Sequence, residues 1–160
     1  QVFNTQKREV DMDGKAIAEA LSMKGLRATP QRIAVYDYLL RHATHPTAET
    51  IYQAMLTEYP TFSRTTIYNS LRALAGAGLI RTVNIDAEEQ RFDGNPTDHA
   101  HFKCSLCGGI FDFEINEEAV CRICPPDYHV EIRDVYLTGT CPACRMKPQS
   151  PTLLPHRHSA

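Results

Sequence analysis

Six cysteines fall into three Cys-x-x-Cys pairs, Cys104/Cys107, Cys121/Cys124 and Cys141/Cys144. Each pair can present two thiolates to one ion, and two pairs supply the tetrahedral S4 set that zinc prefers. Cys107 is followed by Gly108-Gly109 and Cys141 by Pro142-Ala143, small or turn-forming residues. Cys124 instead runs into Pro125-Pro126, and Cys121 falls on an expected helix. The expected zinc ligands are therefore Cys104, Cys107, Cys141 and Cys144. Cys121 and Cys124 read as buried or semi-exposed thiols, and the sequence gives no support for a disulfide switch between them. Such a zinc is structural, because it ties the first strand of a small, thin-cored unit to the end of its last.

A second constellation is harder in its chemistry. His99-x-His101 stands three residues before Cys104, with Asp93 upstream and Asp112 downstream. On a strand, residues two apart share a face. Mixed imidazole and carboxylate donors suit Fe(II), Mn(II) or Zn(II) rather than a soft thiophilic ion. His99 and His101 therefore read as ligands, because spacing and nearby acids agree. A lone histidine such as His45 is by itself a surface or helix-capping residue, and so are His42, His129, His156 and His158.

Elements must position these groups. Residues 1–14 are polar and aperiodic, and are expected to be a flexible arm. A short helix is expected over 15–23. Thr29-Pro30 reads as an N-cap followed by Pro at the first helical position, with Ile33, Tyr36, Leu39 and Leu40 at helical spacing. Thr47 caps the next helix, with Ile51, Tyr52, Met55 and Leu56 along one side. Ser63 caps a third, with Ile67, Leu71, Leu74 and Gly78 on its apolar face and glycines at its end. Extended runs over 79–85 and 90–93 flank the polar turn Asp86-Ala87-Glu88-Glu89 and predict a β-hairpin. Three helices and a hairpin are the order of a winged helix, here 15–94. The loop residues 95–98 mark a hinge. Strands over 101–104, 110–115 and 130–137, with a helix over 117–123, predict a small α+β unit spanning 99–144. Residues 145–160, with three prolines and no apolar period, are expected to be a disordered tail.

In a winged helix the third helix enters a major groove. Arg64, Thr65, Tyr68, Asn69 and Arg72 form a stripe roughly 120° from its apolar face. Arg can fork onto guanine, Asn can pair with adenine, and Tyr or Thr can contact a thymine methyl or a phosphate. The charge distribution fits. Residues 1–85 hold 10 Lys and Arg against 7 Asp and Glu, whereas residues 86–144 hold 4 against 12. The net charge of -2 thus hides a basic first half that can face phosphates and an acidic second half that can hold cations. With 42% hydrophobic residues in 160 and no apolar run of about 20, membrane insertion is not expected. The N-terminus lacks a signal-peptide core, and six cysteines without one point to a reducing compartment, the cytoplasm.

The chain resembles the ferric uptake regulator (Fur) family of metal-dependent bacterial repressors over about residues 15–144. The resemblance rests on Arg27-Ala28-Thr29-Pro30-Gln31-Arg32, His45-Pro46-Thr47-Ala48, Thr66-Ile67-Tyr68-Asn69, Asp98-His99-Ala100-His101 with Cys104-x-x-Cys107, and Cys141-x-x-Cys144. It implies an N-terminal winged helix, a C-terminal dimerisation domain with zinc on the four cysteines named above, and a palindromic double-stranded DNA operator. It is most like the peroxide-responsive branch, which implies a regulatory Fe(II) or Mn(II) on His45, Asp93, His99, His101 and Asp112. In that branch the last acid is Asp where iron sensors carry Glu, and Asn69 replaces an Arg. Arg133 stands where relatives often have His and, with Ala100, argues against an additional metal site.

The reading that follows is a homodimeric repressor, not an enzyme, in which peroxide oxidises His45 or His99 at bound Fe(II). An iron- or zinc-responsive repressor of metal uptake is the alternative. A metalloenzyme shares the donor set but has no separate base or oxyanion arrangement and no use for a winged helix. A zinc-storage or interaction module would lack DNA binding.

Overall fold

The computed structural model describes residues 12–146 except 87, 117, 119–121 and 126. Four helices come first: α1 (Gly14–Met23), α2 (Pro30–Arg41), α3 (Ala48–Met55) and α4 (Arg64–Gly76). Each starts at a side-chain cap that accepts an otherwise orphaned backbone N–H: Asp13 from Ala16, Thr29 from Arg32, Thr47 from Thr50 and Ser63 from Thr66. Thr29, Thr47 and Ser63 cap where the sequence predicts. Asp13 is an addition, so helix begins inside the stretch expected to be an arm, whose residues 1–11 lie outside those described.

Burial explains the helix faces. Ile67, Ser70, Leu71 and Leu74 of α4 are buried, and with Ile17, Leu21, Val35, Leu39 and Ile51 they build the main core. Ser70 takes the place expected for Gly78 on that face, and its hydroxyl donates to the Thr66 carbonyl. Gly78 lies past the end of α4 at φ 66, the left-handed conformation that ends helices and that glycine adopts without strain.

A two-stranded antiparallel hairpin, β1 (Arg81–Val83) and β2 (Arg91–Asp93), follows as the wing, with Thr47 bridged to Arg91. Gly94 then passes close under α2. A Cβ there would lie 2.8 Å from the Leu39 carbonyl oxygen, so this approach requires glycine.

The remaining strands, β3 (Ala100–Cys104), β4 (Ile110–Phe113) and β5 (Val135–Gly139), form a sheet of order β4-β3-β5. β3 pairs antiparallel with β4 and parallel with β5. A short α5 (Pro142–Arg145) closes the described chain. β5 starts five residues later than expected, because β3 offers only Ala100–Cys104 as a pairing edge, and Val130 and Ile132 stay exposed. Of the expected helix over 117–123, residues 117 and 119–121 lie outside the described set, as does the tail from 147. The architecture is α+β. Among the described residues no helix is long and apolar enough to cross a membrane.

Two separate cores result. The helices share a large apolar one, whereas the three-stranded sheet has a small cluster made of Cys104, Cys141 and Cys144 with Phe102 and Phe111 against it. Arg81 of β1 joins the two parts by donating to the Asp98 carboxylate at 2.9 Å and the Arg133 carbonyl at 3.2 Å.

Leu71→Ala removes a fully buried α4 side chain and should cost about 2–5 kcal/mol in urea unfolding. Zinc content should not change, because the cysteine core is separate.

Candidate metal centres and nucleic-acid face

The cysteine set forms where three pieces of chain end. Cys104 closes β3, and the turn behind it is held by hydrogen bonds from the Gly108 N–H to the Cys104 carbonyl and from the Cys104 N–H to the Gly109 carbonyl, both 2.9 Å. Gly108 has φ 71, which favours glycine, so Cys107 swings back toward Cys104. Cys141 and Cys144 sit on a short helix rather than in the turn the sequence suggested, with Pro142 at its first position and Cys141 as its N-cap. The four sulfurs lie within 4.8 Å of one another. Cys124 is a half-buried free thiol outside this set, and Cys121 lies outside the described residues.

The electrostatics of the four thiols call for a cation. Backbone N–H groups of Cys141 and Cys107 pull the Cys104 thiol down to about 6, while hydrogen bonding to Cys141 and then burial push Cys144 up to about 12. The Cys104 thiolate forms readily and Cys144 is penalised beside it, unless a positive ion compensates.

The second cluster draws on five places in the chain. His45 lies in the α2–α3 connection, Asp93 ends β2, His99 precedes β3, His101 lies on β3 and Asp112 on β4. Cross-strand pairing sets His101 opposite Asp112, and the period of two puts His99 on the same face as His101. One donor atom from each of the five lies within 4.8 Å of all the others. His45, Asp93, His99 and His101 are buried, and Asp112, with 31% of its side chain exposed, is the opening to solvent.

These atoms converge with few hydrogen bonds between them. His99 Nδ1–H donates to the Thr97 carbonyl at 2.8 Å, which turns Nε2 inward. That Nε2 sits 2.8 Å from Asp93 Oδ2 and 3.0 Å from His101 Nε2. His45 Nε2 comes within 2.8 Å of Asp112 Oδ1, yet neither His45 nitrogen nor Asp93 Oδ2 has a partner of hydrogen-bond geometry. Burial pushes the Asp93 carboxyl up, but the His101 and His99 imidazoles and the Asn95 N–H outweigh it and hold Asp93 well below the usual carboxylate range. Burial likewise lowers His99, and Asp93 and the Thr97 carbonyl more than reverse it. Buried lone pairs facing one another fit a hard or borderline divalent cation with nitrogen and oxygen ligands. Arg133 donates to Asp98 at 2.8 Å beside Arg81.

On α4, the side chains of Arg64, Thr65, Tyr68, Asn69 and Arg72 are all exposed, and Tyr68 is 52% accessible. Sequence reasoning missed a partner here. Arg64 forks onto Glu49 of α3 through Nε and Nη2, both 2.8 Å, and lies 4.5 Å over the Tyr52 ring. Hydrogen bonds from Arg64 and Gln53 bring Glu49 down to about 2. The signal was a carboxylate in the first turn of the helix preceding the reading helix, a position that charge counting alone does not mark.

A winged helix joined to a strand-rich unit, with one S4 set and one His3Asp2 set, defines a metal-binding DNA-binding class. The ferric uptake regulator family model matches residues 23–138, and the chain belongs to that family. It is 37% identical over 131 residues to the peroxide-responsive repressor PerR of Staphylococcus aureus, covering 80% of this chain and 88% of that one. Among solved structures it is similar to the Helicobacter pylori ferric uptake regulator Fur, with TM-score 0.67 and 22% identity over 88% of this chain and 97% of that one. It is also similar to the Campylobacter jejuni peroxide stress regulator, with TM-score 0.59 and 25% identity over 83% of this chain and 99% of that one.

Cys104→Ser and Cys141→Ser should each remove tightly held zinc measured by elemental analysis, while Cys124→Ser should retain it. Equal loss from Cys124→Ser would assign the ligands wrongly.

Proposed function

We propose that this chain is a homodimeric, metal-activated DNA-binding repressor that senses peroxide. The observation that carries the reading is the convergence of His45 and Asp93 from the helix-and-wing part with His99, His101 and Asp112 from the three-stranded sheet. Zn(II) on Cys104, Cys107, Cys141 and Cys144 supports the sheet, which dimerises. Fe(II) or Mn(II) on the five mixed donors fastens the winged helix (15–94), through the hinge (95–98), to the dimerisation unit (99–144). With the two parts fastened, the pair of α4 helices in a dimer takes the spacing of two palindromic half-sites. Without the ion, that spacing is one of several, and affinity falls with its population.

Residues of the chain then define the output. Tyr68, Asn69, Thr65, Arg72 and Arg64 supply base and phosphate contacts, Arg64 after leaving or sharing Glu49. Fe(II) held by these residues would supply the electron that splits peroxide and recover it from the oxidised imidazole, so that one hydrogen peroxide delivers one oxygen and leaves as water. Asp112 is the solvent-facing donor, with His45 Nε2 2.8 Å from it and His99 and His101 Nε2 each at 3.7 Å, so all three buried imidazoles lie beside this opening, and the resemblance to the peroxide-responsive branch singles out His45 and His99. An imidazole that gains oxygen loses a ring lone pair, the donor set falls below five, and the two parts separate.

Four measurements test this. Binding to a duplex selected by the protein from a random pool should require Mn(II) or Fe(II); metal-independent binding would refute the coupling. Tyr68→Ala should weaken that binding by about 1–3 kcal/mol with metal content and dimerisation unchanged. Fe(II)-loaded protein treated with peroxide should gain one oxygen on the peptides holding His45 or His99 and release DNA, while the Mn(II) form stays unmodified. Asp112→Glu should reduce that oxidation and keep metal-dependent binding. Unmodified histidines in the Fe(II) form would make this an iron or zinc sensor on the same scaffold.

The Arg64–Glu49 pair yields a further expectation. Glu49→Gln removes a carboxylate from the DNA-facing surface and releases the Arg64 fork. Affinity for random-sequence duplex should rise and its salt dependence should steepen by about one counterion.

A further inference from the structure

His45 is held in place by groups that are not among the five donors. Its φ of 51 lies in the left-handed region, uncommon for a residue with a Cβ, and Pro46 restricts it further. Both imidazole nitrogens lack a hydrogen-bond partner, so no hydrogen bond to the side chain orients the ring. The backbone is held instead. The Phe92 N–H donates to the Pro46 carbonyl at 3.0 Å, a main-chain bond open to any residue at 92. Among the described residues, the side chain that hydrogen-bonds to the His45 backbone is Arg91, whose Nη1 donates to the His45 carbonyl at 3.1 Å.

Arg91 is itself fixed from the other side. Its Nε donates to Asp86 in the hairpin turn, and the same carboxylate accepts from Lys103 Nζ. Lys103 lies on β3, two residues beyond His101. A chain of charged groups therefore runs from the strand that carries His101, through Asp86 and Arg91, to the carbonyl of His45. It parallels the ligand cluster and joins the same two parts of the molecule.

We propose that Arg91, braced by Asp86 and Lys103, is a positioning residue for the regulatory metal site: it holds the His45 backbone in the strained conformation that aims the imidazole at the other four donors. This rests on the reading of that cluster as a metal site. The role needs the guanidinium fork, because Nε and Nη1 serve two acceptors in a fixed geometry, and lysine offers a single charged point on a flexible stem.

The test uses the full-length zinc-loaded protein and Mn(II) alone, with free Mn(II) followed by electron paramagnetic resonance. Arg91→Met and Arg91→Lys should each weaken Mn(II) binding 10- to 100-fold, the range for groups that orient metal ligands. Zinc content and the thermal unfolding midpoint of the Mn-free protein should match the parent. Asp86→Asn should weaken binding in the same direction. If the methionine variant fails to fold, the lysine variant, which keeps the charge beside Asp86, carries the test. Binding within twofold of the parent in either folded Arg91 variant would overturn the positioning role and leave the metal site standing. Weakening matched by lost zinc and a lowered midpoint would also overturn it, since Arg91 would then be merely structural. A parent protein that does not bind Mn(II) would remove the site and this proposal together.

Discussion

Five convergent donor atoms, four of them on buried residues and several without a hydrogen-bond partner, are the constraint on which the rest of this structure turns. Taking imidazoles and carboxylates out of water is costly unless their polar atoms are satisfied, and here both His45 nitrogens and Asp93 Oδ2 lack a hydrogen-bond partner. A divalent cation resolves that conflict in one step. Because the donors come from the α2–α3 connection, the wing and two strands of the sheet, satisfying them also fixes how the reading helix stands relative to the sheet.

The rest of the fold serves that convergence. The apolar core of the helices holds α4 rigid through Ile67, Leu71 and Leu74, so its polar stripe moves as a body with His45 and Asp93. Among the described residues the sheet's buried cluster is three cysteines rather than an aliphatic core. On the proposed reading, metal at the S4 set would do for the sheet what aliphatic packing does for the helices. Arg81 and the Lys103–Asp86–Arg91 chain add charged links between the parts. On the proposed reading, the ion would act on parts that are already adjacent. It needs only enough differential affinity to select one arrangement from several, as in any population shift.

Much of this was legible in the sequence, for physical reasons specific to each element. Thr29, Thr47 and Ser63 announce helices because a hydroxyl at an N-cap satisfies an orphan N–H whatever the tertiary context. His99 and His101 announce a shared face because the strand period is two. His45 did not announce itself: a lone histidine carries no spacing, and only its family motif pointed to the site. The Arg64–Glu49 pair and the Arg91–His45 contact were also hidden, since each joins residues 15 or 46 positions apart that neither periodicity nor motif connects. Strand β5 starts late because its length depends on its partner β3, which its own sequence does not encode.

The central claim is that one ion joins both parts of the chain, and amide hydrogen exchange tests it directly. Zinc-loaded protein should be compared with and without Mn(II). Bridging predicts that Mn(II) slows exchange together at residues 44–47, at 91–95 and across β3 and β4, while α1 is unaffected. Protection confined to residues 99–112 would mean that the ion binds the sheet alone, and the account of metal-controlled DNA binding would fail.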